Sequence, residues 1–125
     1  MMYKKANKRE LGEEKEKLAA DFLCTLGYDI LETNYRTRFE EIDIIARDEK
    51  TIVFVEVKYR NSNRYGEPLE AINYGKQRRI SMGALSYLSQ NKIPIESTSI
   101  RFDAIGIFKG KITHIKNAFG YMGFK

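Results

Sequence analysis

Residues 40–60 read EEIDIIARDEKTIVFVEVKYR, two apolar runs on either side of a polar turn. The runs EIDIIA (41–46) and TIVFVEVKY (51–59) predict two strands that pair as a β-hairpin across Arg47–Lys50. The second run is almost wholly apolar in its first half, which is typical of a strand covered on both faces. The stretch therefore predicts that 51–59 is a central strand of a sheet.

The residues before this hairpin predict one helix and one further strand. Apolar residues in 10–26 recur with helical spacing, and Gly27 is a plausible C-cap for that helix. Cys24 lies off this apolar stripe, so it is interpreted as an incidental thiol. Residues 28–35 alternate well enough to form a strand.

The residues after the hairpin predict a second helix and a second hairpin. A polar loop at 61–68 is followed by helical spacing over 69–90, and then by two strand-like runs at 99–108 and 111–118. The order of elements is therefore α-β-β-β-α-β-β. Helices that separate groups of strands predict an α/β sandwich, a central mixed β-sheet with one helix on each face.

The chain is expected to form one domain. Its 125 residues are enough for one core, and a composition of 42% hydrophobic and 12% aromatic residues is that of a globular protein. Residues 1–9 carry four basic residues and no acid, and are predicted to be a flexible basic N-terminal arm. The single domain is then expected over 10–118, with a C-terminal tail at 119–125.

Charge and cysteine content narrow the classes of function. The 22 Lys and Arg exceed the 17 Asp and Glu, for a formal charge of +5, which modestly favours a polyanionic partner such as nucleic acid. A single cysteine excludes an internal disulfide and a Cys-rich zinc site. The N-terminus has no apolar signal-peptide core, and no apolar run approaches the roughly 20 residues of a membrane span. A soluble cytoplasmic protein is expected.

Asp43, Glu56 and Lys58 are charged residues that lie inside the two apolar runs of the hairpin. Side chains alternate along a strand, so Glu56 and Lys58 share one face, about 7 Å apart. Pairing across the turn would bring Asp43 close to Glu56. Charges two apart on a strand usually form a solvated or salt-bridged face. Here the neighbouring apolar residues require a further reason, because burying a charge costs several kcal/mol unless it is paired or binds a cation.

Phosphodiester cleavage supplies a chemical reason for this arrangement. Asp43 and Glu56 could give the carboxylate oxygens that Mg²⁺ commonly takes alongside water and a substrate phosphate. Lys58 would then lie beside the attacking water and the scissile phosphate, where it could aid deprotonation or stabilise negative charge. The single histidine, His114, argues against His-based nuclease sites and is expected to be structural.

At these residues the chain resembles the YraN family of predicted endonucleases. That family belongs to the restriction-endonuclease-like (PD-(D/E)xK) superfamily and is distantly similar to archaeal Holliday junction resolvases. The shared residues are Glu16-x-x-Ala19-Ala20-x-x-Leu23, Gly27-Tyr28, Asn34, Glu41-Ile42-Asp43, Phe54-Val55-Glu56-Val57-Lys58-x-Arg60, Gly66, Lys76-x-x-Arg79-Ile80 and Arg101-Phe102-Asp103. The resemblance implies a restriction-endonuclease-like fold and a single nuclease-like domain.

The resemblance also implies roles for four residues. Asp43 and Glu56 would be ligands of Mg²⁺ or Mn²⁺, Lys58 the catalytic lysine, and Glu16 an auxiliary acid from the first helix. The chain departs from the family pattern at Glu40, where the family usually has glycine. Glu40 adds negative charge near the expected DNA path and so bears on substrate approach.

A basic segment follows the candidate catalytic residues. Residues 58–79 carry a net charge of +4, with tyrosines interleaved, and could hold DNA phosphates. The candidate DNA-binding residues are Arg60, Arg64, Lys76, Arg78 and Arg79. No base-reading helix is evident, so recognition of DNA shape or backbone, not of sequence, is expected. The resemblance to resolvases implies structured or branched DNA as the substrate.

Three functions remain open on the sequence alone. The first is a Mg²⁺-dependent endonuclease that resembles Holliday junction resolvases. The second is a non-catalytic DNA-binding module on a nuclease fold, in which the basic segment is used without turnover. The third is a small adaptor for an acidic protein. The chain is small for gripping two duplex arms, which makes a homodimer a reasonable expectation.

Overall fold

The computed structural model describes residues 8–60 and 72–122, and its elements follow the predicted order. The bounds of the elements are α1 Lys8–Thr25, β1 Asp29–Arg36, β2 Glu41–Asp48, β3 Thr51–Arg60, α2 Tyr74–Gln90, β4 Ser99–Phe108 and β5 Lys111–Phe119. Most of the predicted basic arm and the predicted polar loop at 61–68 lie outside the described residues. So does the beginning of the predicted second helix.

The five strands form one mixed sheet in the order β1-β2-β3-β4-β5. Strands β3 and β4 are parallel, and the other neighbouring pairs are antiparallel. A parallel pair needs a crossover connection, and α2 lies within the one that joins β3 to β4. The sheet with a helix on each face confirms the predicted α/β sandwich, with β3 as the central strand.

The central hairpin has a tighter turn than the sequence suggested. Arg47 pairs with Ile52 and Asp48 with Thr51, so the loop contains Glu49 and Lys50 alone. Glu49 has the left-handed φ of 56° that a two-residue hairpin loop favours. The predicted pairing across Arg47–Lys50 is confirmed, with two of its four residues inside the ladder.

Alternation along β3 divides the core into two layers, as the sequence predicted. Val53 and Val55 pack in the cluster beneath α1, which contains Ala19 and Leu23. The α2 layer is a separate cluster whose members include Ile52, Phe54, Ile80, Ala84, Leu88 and Phe102. Glu56 continues the α2-facing row of β3, so its side chain is directed toward the layer that α2 covers.

Helix α2 begins later than the predicted start at residue 69. Ile72 is buried but not helical, and Asn73 has extended backbone angles. The Asn73 side chain accepts a hydrogen bond from the Lys76 backbone N–H at 2.8 Å, which makes it the N-cap. The predicted start was too early because the helical spacing of apolar residues in the sequence extends to the N-terminal side of this cap. As a result, Lys76 lies in the first turn of α2.

The described part of the C-terminal tail packs against the α2 side of the sheet. The Phe119 ring stacks on Phe102 with centroids 5.0 Å apart, and the Tyr121 ring lies 6.5 Å from Phe102. The Met122 backbone N–H donates to Ser81 Oγ at 3.0 Å. The packed structure therefore continues to residue 122. Within the described residues, neither helix is both long and apolar enough to cross a membrane.

Candidate active site

The candidate site forms where the β2–β3 ladder ends. The last paired residues are Ile44 and Val55, and Asp43 lies one residue beyond them. The Val57 backbone N–H donates to Asp43 Oδ2 at 2.7 Å, so a carboxylate oxygen accepts it in place of a strand carbonyl. The Glu56 side chain lies close enough to Asp43 to raise the pKa of its carboxyl group. The predicted proximity of Asp43 and Glu56 is therefore confirmed.

The surroundings of Asp43 strongly favour its protonated form. Burial is the largest cause, followed by the hydrogen bond to Glu56 and the charge of Glu56, and together they raise the pKa of Asp43 far above its usual range. The charge of Glu16, on α1, acts in the same direction. The structure thus places Asp43 of β2 beside Glu56 of β3, and Glu16 of α1 is near enough for its charge to act on Asp43.

Lys76 supplies a positive charge to these acids. Its Nζ lies 2.8 Å from Glu56 Oε2, and the Glu56 side chain is 5% exposed. Burial opposes the Lys76 ammonium, but the hydrogen bond and charge of Glu56 outweigh it and raise the pKa of Lys76. The sequence predicted a DNA contact for this residue. In the structure without DNA, its ammonium forms an ion pair with a candidate catalytic carboxylate, and the DNA contact stays a prediction.

Glu40 extends the ion pair into a chain of alternating charges. Glu40 Oε2 lies 3.9 Å from Lys76 Nζ, and Glu40 Oε1 accepts a hydrogen bond from Arg79 Nε at 2.9 Å. The sequence marked Glu40 as an added negative charge on the DNA path. In the structure two cations of α2 bind this charge, so Glu40 anchors the start of α2 to the β1–β2 connection.

Of the remaining candidate residues, Lys58 and Arg78 have side chains that the structure describes. Lys58 lies on β3 opposite Gly106 of β4 and is half-buried. No described side chain forms a hydrogen bond or ion pair with its ammonium. Arg78 is exposed on α2, beside the Glu40-bound Arg79. The Arg60 side chain, at the end of β3, and all of Arg64 lie outside the described residues.

The donor set fits a hard divalent cation. Asp43 and Glu56 place carboxylate oxygens beside each other, and Mg²⁺ or Mn²⁺ prefers oxygen ligands of this kind. Among residues 14–59 and 72–122, no three Asp, Glu, His or Cys side chains converge closely enough to hold an ion by themselves. Mg²⁺ sites commonly use one or two carboxylates completed by water and phosphate, a number that Asp43 and Glu56 would supply.

A second buried polar cluster lies on the opposite face of the sheet. Asp103 is fully buried and accepts hydrogen bonds from Arg101 Nε at 2.8 Å and from the Asn117 N–H at 3.0 Å. His114 Nε2 lies 2.8 Å from Asp103 Oδ2, in the structural role predicted for it. Burial alone would raise the pKa of Asp103, but the hydrogen bonds from His114 and Arg101 lower it.

The fold and the candidate site have the arrangement expected from the resemblance stated above. A mixed sheet flanked by helices carries an aspartate and a glutamate on adjacent central strands, with a lysine two residues after the glutamate. This is the arrangement that the resemblance to restriction-endonuclease-like proteins predicts. Residues 15–107 match the family described as Uncharacterised protein family UPF0102. The chain belongs to this family, which confirms the predicted YraN membership.

The relatives extend over nearly the whole chain. A UPF0102 protein of Thermodesulfovibrio yellowstonii is 52% identical over 110 residues, which cover 88% of this chain and 96% of the relative. A UPF0102 protein of Lachnoclostridium phytofermentans is 50% identical over 117 residues, covering 94% and 98%. One of Clostridioides difficile is 42% identical over 115 residues, covering 90% and 99%. The similarity therefore covers most of the chain and nearly the full length of each relative.

Proposed function

We propose that this protein is a Mg²⁺- or Mn²⁺-dependent endonuclease that hydrolyses phosphodiester bonds in structured or branched DNA. The observation that carries the proposal is the Asp43–Glu56 carboxyl pair, in which Glu56 is buried and Asp43 half-buried, with Lys58 following Glu56 on the same strand. Holding two acids together away from water is costly, and a divalent cation would offset that cost. Membership in a family that resembles resolvase-like nucleases supports the same conclusion.

Each residue of the site has a chemical role in this proposal. Asp43 and Glu56 would hold the metal ion, and Asp43 would release its proton on binding. A bound Mg²⁺ would activate water and stabilise charge on the scissile phosphate. The half-buried Lys58 ammonium could then bind a phosphate oxygen or assist proton transfer from the attacking water. Glu16, close enough to raise the pKa of Asp43, would act as the auxiliary acid.

The DNA would be held through its backbone. Arg78 and Arg79 lie in the first half of α2, in the turn after Lys76, and Arg60 and Arg64 follow Lys58 in sequence. Contacts of this type position a nucleic acid without reading its bases. They fit a substrate that is recognised by shape.

One observation favours a second candidate, a DNA-binding module without turnover. Lys76 already neutralises Glu56 at 2.8 Å, as a purely structural ion pair would. In that case metal would change neither DNA binding nor the state of the DNA.

A cleavage assay separates the two candidates. Wild type and Lys58→Ala are incubated with supercoiled plasmid and a four-way junction, in Mg²⁺, in Mn²⁺ and in EDTA. We expect metal-dependent cleavage that falls about 100-fold or more in Lys58→Ala, the scale of lost proton transfer or charge stabilisation. DNA binding in Ca²⁺, followed by fluorescence anisotropy, should be retained. Lys50→Ala removes the same charge at the opposite end of β3 and should cleave normally.

Two results would count against the endonuclease. Equal cleavage by wild type and Lys58→Ala would place the activity elsewhere. Salt-sensitive DNA binding without cleavage by wild type, in either metal, would support the non-catalytic module.

A further inference from the structure

The position of Lys76 is unfavourable for a cation unless neighbouring carboxylates stabilise its charge. It lies in the first turn of α2, where the positive end of the helix dipole disfavours a cation. Lysine side chains also tend to extend their ammonium groups into water. Here the side chain is 25% exposed and directed at Glu56, which is 5% exposed. The carboxylates therefore hold this cation against both tendencies.

The ion pair uses the same atoms that a metal ion would need. Lys76 Nζ approaches Glu56 Oε2 at 2.8 Å, and Oε2 is one of the two oxygens through which Glu56 could bind a cation. Glu40 contacts Lys76 at a longer 3.9 Å and is itself bound by Arg79 at 2.9 Å. Lys76 thus has a second carboxylate beside it, outside the Asp43–Glu56 pair, toward which it can move.

We propose that Lys76 is a built-in, displaceable cation of the carboxylate site, and that a divalent metal ion takes its place at Glu56. The inference rests on the proposed function for the identity of the displacing ion. Displacement would leave Lys76 with Glu40 at the start of α2. The ion pair keeps the site neutralised without metal and competes with metal binding.

If Lys76 competes with a metal ion for Glu56, it lowers the affinity of the site for metal, which a purely structural ion pair would not do. Removing Lys76 removes the competitor, so metal affinity should rise. If Lys76 instead only held Glu56 in position, its loss would leave metal affinity unchanged or weaken it. The sign of the change therefore distinguishes the two roles.

Calorimetry with Mn²⁺ alone, at pH 8 and without DNA, measures this sign. We expect Lys76→Met to bind Mn²⁺ at least tenfold more tightly than wild type. Lys92→Met is the matched control, because it makes the same change beyond the far end of α2, about 20 Å away. It should bind as wild type does.

The outcomes separate this inference from the proposed function. Equal or weaker Mn²⁺ binding by Lys76→Met, with binding by wild type intact, would overturn the displacement and leave the endonuclease standing. Absence of Mn²⁺ binding to both proteins would overturn the metal site and the displacement with it.

A second measurement uses wild type and avoids any folding defect of the variant. Reductive methylation followed by mass spectrometry reports how accessible each lysine is. Saturating Mn²⁺ should increase the labelling of Lys76 relative to Lys92, because Lys76 leaves Glu56. Unchanged labelling of Lys76 with Mn²⁺ bound would overturn the proposal.

Discussion

The state of Asp43 is set by its neighbours rather than by its own chemistry. Burial and the nearby Glu56 raise the pKa of Asp43 to about 10, compared with about 3.9 in an unfolded chain. The folded protein therefore binds one more proton than the unfolded chain between these values. A group of this kind stabilises the folded state fully below its unfolded pKa, and that contribution is lost as pH rises through the folded pKa.

Metal-free protein should accordingly lose stability between about pH 6 and pH 10, and Asp43→Asn should reduce that loss. The asparagine amide stays neutral over this range, and its oxygen can still accept the Val57 N–H. Urea unfolding in EDTA, followed by circular dichroism at several pH values, gives the slope for each protein. Asp29→Asn, an exposed change on β1, should keep the wild-type slope. If the unfolding free energy of Asp43→Asn falls with pH as steeply as that of wild type, Asp43 is not the cause of the pH dependence.

At the scale of elements, the site depends on how α2 meets the β1–β2 connection. Thr37 organises that connection: its Oγ1 accepts from the Glu40 N–H at 3.1 Å and donates to the Glu40 carbonyl at 2.8 Å. Gly83 of α2 packs directly beneath it. A Cβ at Gly83 would lie 3.2 Å from Thr37 Oγ1 and 3.3 Å from Ile42 Cδ1. The missing side chain thus lets the helix approach the loop that carries Glu40.

Gly83→Val should therefore destabilise the protein by about 1–3 kcal/mol, the usual cost of overpacking. The same substitution at Gly75 is the control, because a Cβ there has its nearest contacts at 3.4 and 3.5 Å. Valine at Gly75 also removes the helix penalty of glycine, so no loss of stability is expected. Urea unfolding compares the two variants. Equal stability of both would mean that the connection moves aside at no cost.

The sequence was sufficient to predict the elements that local pattern controls. Alternation along 51–59 separated the two faces of β3 correctly, and the polar turn gave the hairpin that brings Asp43 to Glu56. The start of α2 was misplaced because the apolar spacing that defined it does not register a cap such as Asn73. Apolar periodicity therefore locates a helix or strand better than it locates the first and last residues of that element.

The contacts between distant segments could not be predicted in the same way. The ion pair of Lys76 with Glu56 depends on where the crossover after β3 places α2, and no periodicity encodes that position. The same is true of Glu40, whose partners lie more than 30 residues away in sequence. Asp103 did leave a signal, since Arg101 and Asp103 interrupt an apolar strand just as Glu56 and Lys58 do.

At the scale of the whole molecule, the Asp103 cluster joins segments from both ends of the sheet. Arg101 contacts Tyr28, which follows α1, through a hydrogen bond of 2.7 Å, and Asp48 at the end of β2 at 3.0 Å. Asp103 lies between Arg101 and the β5 residues His114 and Asn117. The segment after α1, the central hairpin and the C-terminal strand are therefore linked through the Arg101–Asp103 pair.

Asp103→Asn should cost about 3 kcal/mol near neutral pH, because it leaves Arg101 without its buried charge partner. The lowered pKa of Asp103 sets how this cost varies with pH. A depressed pKa stabilises the fold above the unfolded value of about 3.9, and that contribution is lost as pH falls through the folded pKa. The difference in unfolding free energy between wild type and Asp103→Asn should therefore be largest near pH 7 and shrink below about pH 4. The control Asp29→Asn should have nearly the unfolding free energy of wild type at every pH. If the loss of unfolding free energy in Asp103→Asn is the same at every pH, the cluster stabilises the fold through the shape of its packing rather than through charge.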